Sequence, residues 1–195
     1  MQPKLRSRLP RKTSSSPPVI IVDTREQRPW TFKGTGWCVK RKRLLTGDYT
    51  IHGLEDILRV KRKGNVEEMY QNVCTLERRK DLYEKFKRMA EFPCRMVVVE
   101  INPNDLSKDS RYCKMKAKNF LDNWLSLSLT FSVPLLCVGP RTGKQVKRVY
   151  AVFEKVWDLW VKGCLGPREM SRNSGPQLTK FRLSHTSMRD PVVLG

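Results

Sequence analysis

Three short apolar runs, 19–22 (VIIV), 96–99 (MVVV) and 133–138 (VPLLCV), narrow the fold of this chain more than any other feature. None shows the polar alternation of a half-exposed strand, and each is too short for a buried helix. They predict strands covered on both faces. The stretches between and after them carry helical periodicity instead. Residues 66–73 form one such segment, with Asn65 as N-cap. Residues 76–92 form a second, with Leu82, Phe86, Met89 and Ala90 at helical spacing. A third covers 112–130, with Phe120, Leu121, Trp124 and Leu125 on one stripe, and a fourth covers 145–162. Residues 37–41, 47–51 and 57–63 predict further strands, the last two joined as a hairpin through the turn at 52–56. Buried strands alternating with helices, plus one hairpin, give an α/β fold with a mixed sheet flanked by helices.

Composition bears on the partner. Among 195 residues there are 39 Lys and Arg against 19 Asp and Glu, a formal charge of +20. That excess repels itself unless a polyanion offsets it, so nucleic acid leads the partner classes and an acidic membrane surface comes second. No apolar run reaches the roughly 18 residues of a membrane span. The opening MQPKLRSRLPRK lacks the apolar stretch of a secretory signal. The six Cys are scattered without a C-x-x-C pair, and His52 and His185 stand alone. Reduced thiols, no zinc or histidine metal site, and an intracellular location, cytoplasmic or nuclear, are expected. Residues 1–17 read as a disordered basic arm, 18–162 as the folded domain, and 163–195 as a flexible basic tail.

With acids so scarce, their positions carry information. Asp23 and Glu26 follow the first buried run, Asp48 opens a strand after Gly47, and Glu100 ends another buried run. Strand ends are where α/β sheets place ligands, and two or three carboxylates meeting there bind a hard cation. Each acid taken singly reads better as a solvated strand end. On the 57–63 strand, Arg59, Lys61 and Lys63 share one face by period 2, and Leu58, Val60 and Arg62 share the other. That lysine face serves either phosphate charge in a cleft or a cationic sheet edge that resists aggregation. The runs 40–43, 78–80, 114–118 and 141–148 add basic surface suited to phosphate contacts, which set affinity but read no sequence.

Four segments occur in a telling order: Val22-Asp23-Thr24-Arg25-Glu26, Thr46-Gly47-Asp48-Tyr49, Val60-Lys61-Arg62-Lys63 and Val97-Val98-Val99-Glu100. Together they resemble the nuclease domain of the XPF family of structure-selective endonucleases, over roughly residues 18–162. The resemblance implies the restriction-endonuclease-like fold and metal-dependent hydrolysis of DNA, of the kind used in repair, recombination and replication. The family pattern is Gly-Asp, a spacer, then Glu-Arg-Lys, three residues and Asp. Gly47-Asp48 matches its start, Arg62-Lys63 its Arg-Lys, and Glu67 falls on the final acidic position. The implied catalytic residues are Asp48, Arg62, Lys63 and Glu67. The implied ligands of magnesium or manganese are Asp23, Glu26 and Asp48. Arg25, Lys40, Arg41, Lys42, Arg43 and Lys61 are the expected DNA contacts.

The departure from the pattern is Lys61, which stands where the family has its metal-binding Glu. Unit charges about 4 Å apart interact by roughly 4 kcal/mol at an effective dielectric near 20. Magnesium held at millimolar affinity has only about 4 kcal/mol to lose. Lys61 either swings outward, or another acid such as Glu67, Glu68 or Glu26 fills its place, or the domain is an inactive DNA-binding or dimerisation homologue. The family's implied partners are branched, flap or fork DNA and a second nuclease domain, as homodimer or heterodimer. Its tandem helix-hairpin-helix module has no counterpart in 163–195. Trp157 and Trp160 serve either the core or a dimer contact.

Overall fold

The structure is a computed structural model that describes residues 17–165. Six strands form one mixed sheet: β1 (Val19–Val22), β2 (Cys38–Arg41), β3 (Tyr49–Ile51), β4 (Leu58–Lys63), β5 (Cys94–Val99) and β6 (Leu135–Cys137). Their spatial order is β2-β1-β3-β4-β5-β6. β2 and β1 are parallel, β3 runs antiparallel to β1 and to β4, and β4, β5 and β6 run parallel. The β3–β4 hairpin explains the mixed topology, because a short turn joins only antiparallel neighbours. Helices make two of the parallel steps, α1 (Val66–Gln71) and α2 (Leu76–Met89) between β4 and β5 and α3 (Ala117–Phe131) between β5 and β6, whereas the loop 23–37 makes the parallel step from β1 to β2. The last helix, α4 (Gly143–Val161), follows β6.

Two apolar layers pack on opposite faces of the sheet. Val98 faces Trp30, Tyr49 and the α4 residues Val149, Phe153 and Val156. Its neighbours Val97 and Val99 face Met69, Phe86, Phe120 and Trp124 of the other three helices. Successive strand residues point to opposite faces, so one run of valines serves both layers. Trp157 is half-buried on the first layer, edge-on to Trp37, and Trp160 packs there too.

Several boundaries differ from expectation. α3 begins at Ala117 rather than 112, because Asp109 accepts the Ala117 N–H (2.8 Å) and pairs with Lys116 (2.9 Å), holding 112–116 as a loop. Leu125 lies outside the buried stripe of α3, 43% exposed. α2 stops at Met89, and Phe92 beyond it receives the Arg59 guanidinium 4.4 Å from its ring centroid. A 3-10 turn at Pro103–Ser107 has no counterpart in the sequence pattern. After α4, Gly163 adopts φ 74° and donates to Trp160 O, while Cys164 donates to Leu159 O, so 163–165 close the helix. The expected arm and tail otherwise lie outside the described residues.

Candidate functional site

Backbone pairing continues past the strand ends and gathers their flanking acids. Asp23 N–H donates to Asp48 O (2.7 Å), Asp48 N–H to Val60 O (2.8 Å), and Glu100 N–H to Lys63 O (2.8 Å). Gly47 permits the close approach of this corner to β4. Its φ is 72°, and a Cβ there would meet Val60 O at 3.2 Å. The result is an open cavity of about 800 Å³ at one end of the sheet. Asp23, Glu26, Asp48, Lys61, Arg62 and Glu67 all line it.

Each acid is already engaged. Asp23 is 1% exposed and accepts from Arg25 N (2.7 Å), Nε (2.9 Å) and Nη2 (2.9 Å), and from Leu44 N (2.7 Å). The Arg25 side-chain bonds hold its carboxyl well below the usual range against the opposing effect of burial. Asp48 accepts the Lys61 ammonium on Oδ1 at 2.6 Å and Arg62 N–H on Oδ2 at 2.7 Å. Glu26 accepts from Arg62 Nη1 (3.2 Å) and Arg28 N (2.8 Å). Glu100, 2% exposed, accepts from Arg62 Nε (2.8 Å) and Nη2 and from Trp30 Nε1 (2.6 Å) and Gln145 Nε2. Arg62 therefore bridges two carboxylates. Burial opposes its charge, but the Glu100 hydrogen bonds and charge outweigh it and raise its pKa.

Two predicted residues stand apart from this centre. Lys63 is 5% exposed, and its ammonium donates to Glu68 Oε1 (2.9 Å) and Asn72 Oδ1 (2.7 Å). It faces α1 instead of the cavity, and burial pushes its pKa down. Glu67 lines the rim, where it accepts from Ser110 Oγ. Arg59, expected on the lysine face, sits four residues along β4 from Lys63, a separation of about 13 Å at strand rise. There it is buried against Phe92, with Nε lacking a partner among the described residues.

The basic run 40–43 divides by task. Arg41 braces the loop after β1 by donating to Glu26 O (2.6 Å) and Thr24 O (3.3 Å). Lys42 pairs with Glu55 at 3.6 Å, while Lys40 and Arg43 are exposed. Arg25 and Arg28, with Lys85 and Arg88 from α2, present exposed cations at the cavity. Lys85 and Arg88 carried no distinguishing sequence signal, since α2 is charged along most of its length. Gln145 was likewise missed, lying 45 residues from the Glu100 it contacts.

A hard dication needs about six oxygens, near 2.1 Å for magnesium. Here Asp48 Oδ1 is taken by an ammonium, Asp23, Glu26 and Glu100 are held by arginines, Glu68 by the Lys63 ammonium and Gly64 N–H, and Glu67 by the Ser110 hydroxyl. Among the described residues no three His, Cys, Asp or Glu are grouped to hold a metal ion. The donor set, as arranged, does not fit magnesium or manganese. Among those residues, too, no helix is long and apolar enough to cross a membrane.

No family model matches the chain, and no curated protein matches it. Solved structures do. The chain is similar to XPF from Aeropyrum pernix at TM-score 0.54 and 22% identity, over 73% of this chain and 61% of that one. It is also similar to XPF from Aeropyrum pernix in complex with DNA, at TM-score 0.52 and 23% identity, over 75% of this chain and 66% of that one. The chain thus spans somewhat under two thirds of each of those chains. These likenesses show the fold alone, a mixed sheet flanked by helices of the restriction-endonuclease-like kind.

Proposed function

We propose that this domain binds DNA through its phosphate backbone at the strand-end cavity and does not cleave it. The Lys61–Asp48 ion pair at 2.6 Å carries this reading. Lys61 places a fixed positive charge beside the acid that a nuclease of this fold would turn toward a metal. A phosphate seeking a cation at the cavity finds Lys61 and the exposed arginines around it. The fold's likeness to an XPF that was solved with DNA supports the same partner. A location within the cell and dimerisation of the domain belong to this proposal as well.

One observation favours a metal-dependent endonuclease instead. Asp48, Glu26 and Glu100 converge on one cavity with Arg62, and the Lys61 side chain is 32% exposed on a flexible stem. A stem of that length can carry its ammonium outward and release Asp48. The two readings separate in one experiment. The chain, Lys61→Glu and Asp48→Ala are incubated with flap and fork DNA, in chelator or in manganese, with calorimetric titration of manganese alongside. We expect the unmodified chain to bind DNA equally well in chelator, to take up no manganese, and to release no product. Lys61→Glu should gain measurable manganese affinity. Manganese-dependent product from the unmodified chain, lost in Asp48→Ala, would establish the endonuclease.

A further inference from the structure

Two lysines line the strand-end cavity, and they differ in kind. Lys85 is an exposed cation on α2. Lys61 has a side chain 32% exposed, and its Nζ meets Asp48 Oδ1 at 2.6 Å. Lys63, on the same strand face, is outside the cavity lining and is committed to Glu68 and Asn72. Asp48 is held still: its Oδ2 accepts Arg62 N–H (2.7 Å), and its own N–H donates to Val60 O (2.8 Å). An amine that reaches an open cavity, with a fixed carboxylate in proton-transfer contact, is the arrangement that imine chemistry on a carbonyl needs. The cations around it, Arg25, Arg28 and Arg88, suit a sugar-phosphate strand. The carbonyl that such a strand offers is the ring-opened aldehyde of a deoxyribose that has lost its base.

We propose that Lys61 forms an imine with the aldehyde of an abasic site in bound DNA and cuts the strand there by β-elimination. Asp48 takes a proton from the Lys61 ammonium, and the freed amine forms its C–N bond to C1′. The carbonyl oxygen leaves as water with two protons that began on the nitrogen, one of them delivered by Asp48. The product is a protonated imine. Asp48, a carboxylate again, then takes a proton from C2′. That C–H electron pair becomes the C2′=C3′ double bond, and the C3′–O bond breaks. The downstream strand departs with the phosphate. Water splits the imine, which returns the amine to Lys61 and leaves an unsaturated aldehyde on the upstream strand. Nothing is oxidised or reduced. This inference rests on the DNA-binding reading above, and it adds a reaction on damaged DNA to a domain that leaves intact DNA whole, since intact DNA offers no aldehyde.

The test uses duplex DNA with one abasic site, in chelator, at concentrations that saturate binding by each protein. Borohydride reduces an imine to a stable amine, so the unmodified chain should become covalently attached, and peptide mapping should place the adduct on Lys61. Without borohydride the strand should be cut at the abasic site. The same duplex with tetrahydrofuran in place of the abasic sugar should be bound without an adduct. Lys61→Arg keeps the charge but offers no amine that gives up its proton, and should lose the adduct. Asp48→Asn should form the adduct about a hundredfold more slowly. Binding of the abasic duplex with no adduct overturns the imine alone. So does an adduct mapped to other lysines, or one formed as fast in Lys61→Arg. An unchanged rate in Asp48→Asn overturns the proton transfer. Failure to bind any of these duplexes overturns the proposal together with the DNA-binding reading.

Discussion

Asp23 shows how much one side chain is asked to do at this site. Its carboxylate organises the Arg25 guanidinium and the Leu44 amide, and through them the loop that carries Leu45. Those bonds leave it no oxygen turned outward, so its work is structural. A buried carboxylate that loses such partners leaves donors unsatisfied, and Asp23→Ala should destabilise the domain by roughly 2–3 kcal/mol in urea unfolding. The pH dependence follows from the depressed pKa. A carboxyl whose folded value lies below its unfolded 3.8 stabilises the fold fully above that pH. The contribution fades as pH falls toward the lower folded value. Urea midpoints of the unmodified chain should therefore drop below about pH 4 more steeply than those of Asp23→Ala. Parallel acid limbs in the two proteins would contradict this role. Glu68 adds to the same acid limb: burial alone would raise its pKa, but the Lys63 charge and hydrogen bonds to Gly64 and Lys63 lower it.

Helix α1 is only six residues long, yet it sets the position of Lys63. Asn65 caps it by accepting Glu68 N–H at 2.8 Å, and Glu68 and Asn72 then receive the Lys63 ammonium. A helix this short is not stable by propensity and depends on its cap and its buried Met69 and Tyr70. Asn65→Ala should cost about 1 kcal/mol, seen as a lower urea midpoint, whereas Asn65→Asp should cost less than half of that. Helix α4 acts on the site from the opposite face. Phe153 packs edge-on against Trp30 (6.4 Å between centroids), Trp30 stacks on Tyr49 (4.2 Å), and Trp30 Nε1 reaches Glu100. Both elements were legible in the sequence, from the Asn65 cap signal and the helical periodicity of 145–162. Their link to Lys63 and Glu100 was not, because helical periodicity says which face is buried and leaves open what it is buried against.

The chain as a whole carries +20, and its cavity is ringed by exposed Arg25, Arg28, Lys85 and Arg88. If those four meet phosphates, log affinity for duplex DNA should fall against log salt with a slope of about −3 to −4. Lys85→Ala combined with Arg88→Ala should lower the slope by about 2 and weaken binding to all sequences alike. A slope near zero would remove the phosphate contacts on which the proposed function stands.

What could be read from the residues alone was whatever depends on neighbours in the chain. The valine and isoleucine runs name the strands, the 47–63 segment names the hairpin, and the order of short motifs names the fold. Asp23, Glu26 and Asp48 were placed at strand ends by the same local logic and Lys61 and Arg62 on opposite faces of one strand, and all five line one cavity. Which atoms each would hold was decided only by packing in three dimensions. Arg62 chose Glu100 and Glu26 over the open cavity, Lys61 closed on Asp48, and Lys63 turned to α1. A charged side chain several bonds long reaches partners tens of residues away, and burial selects among them by which acids lose water with it.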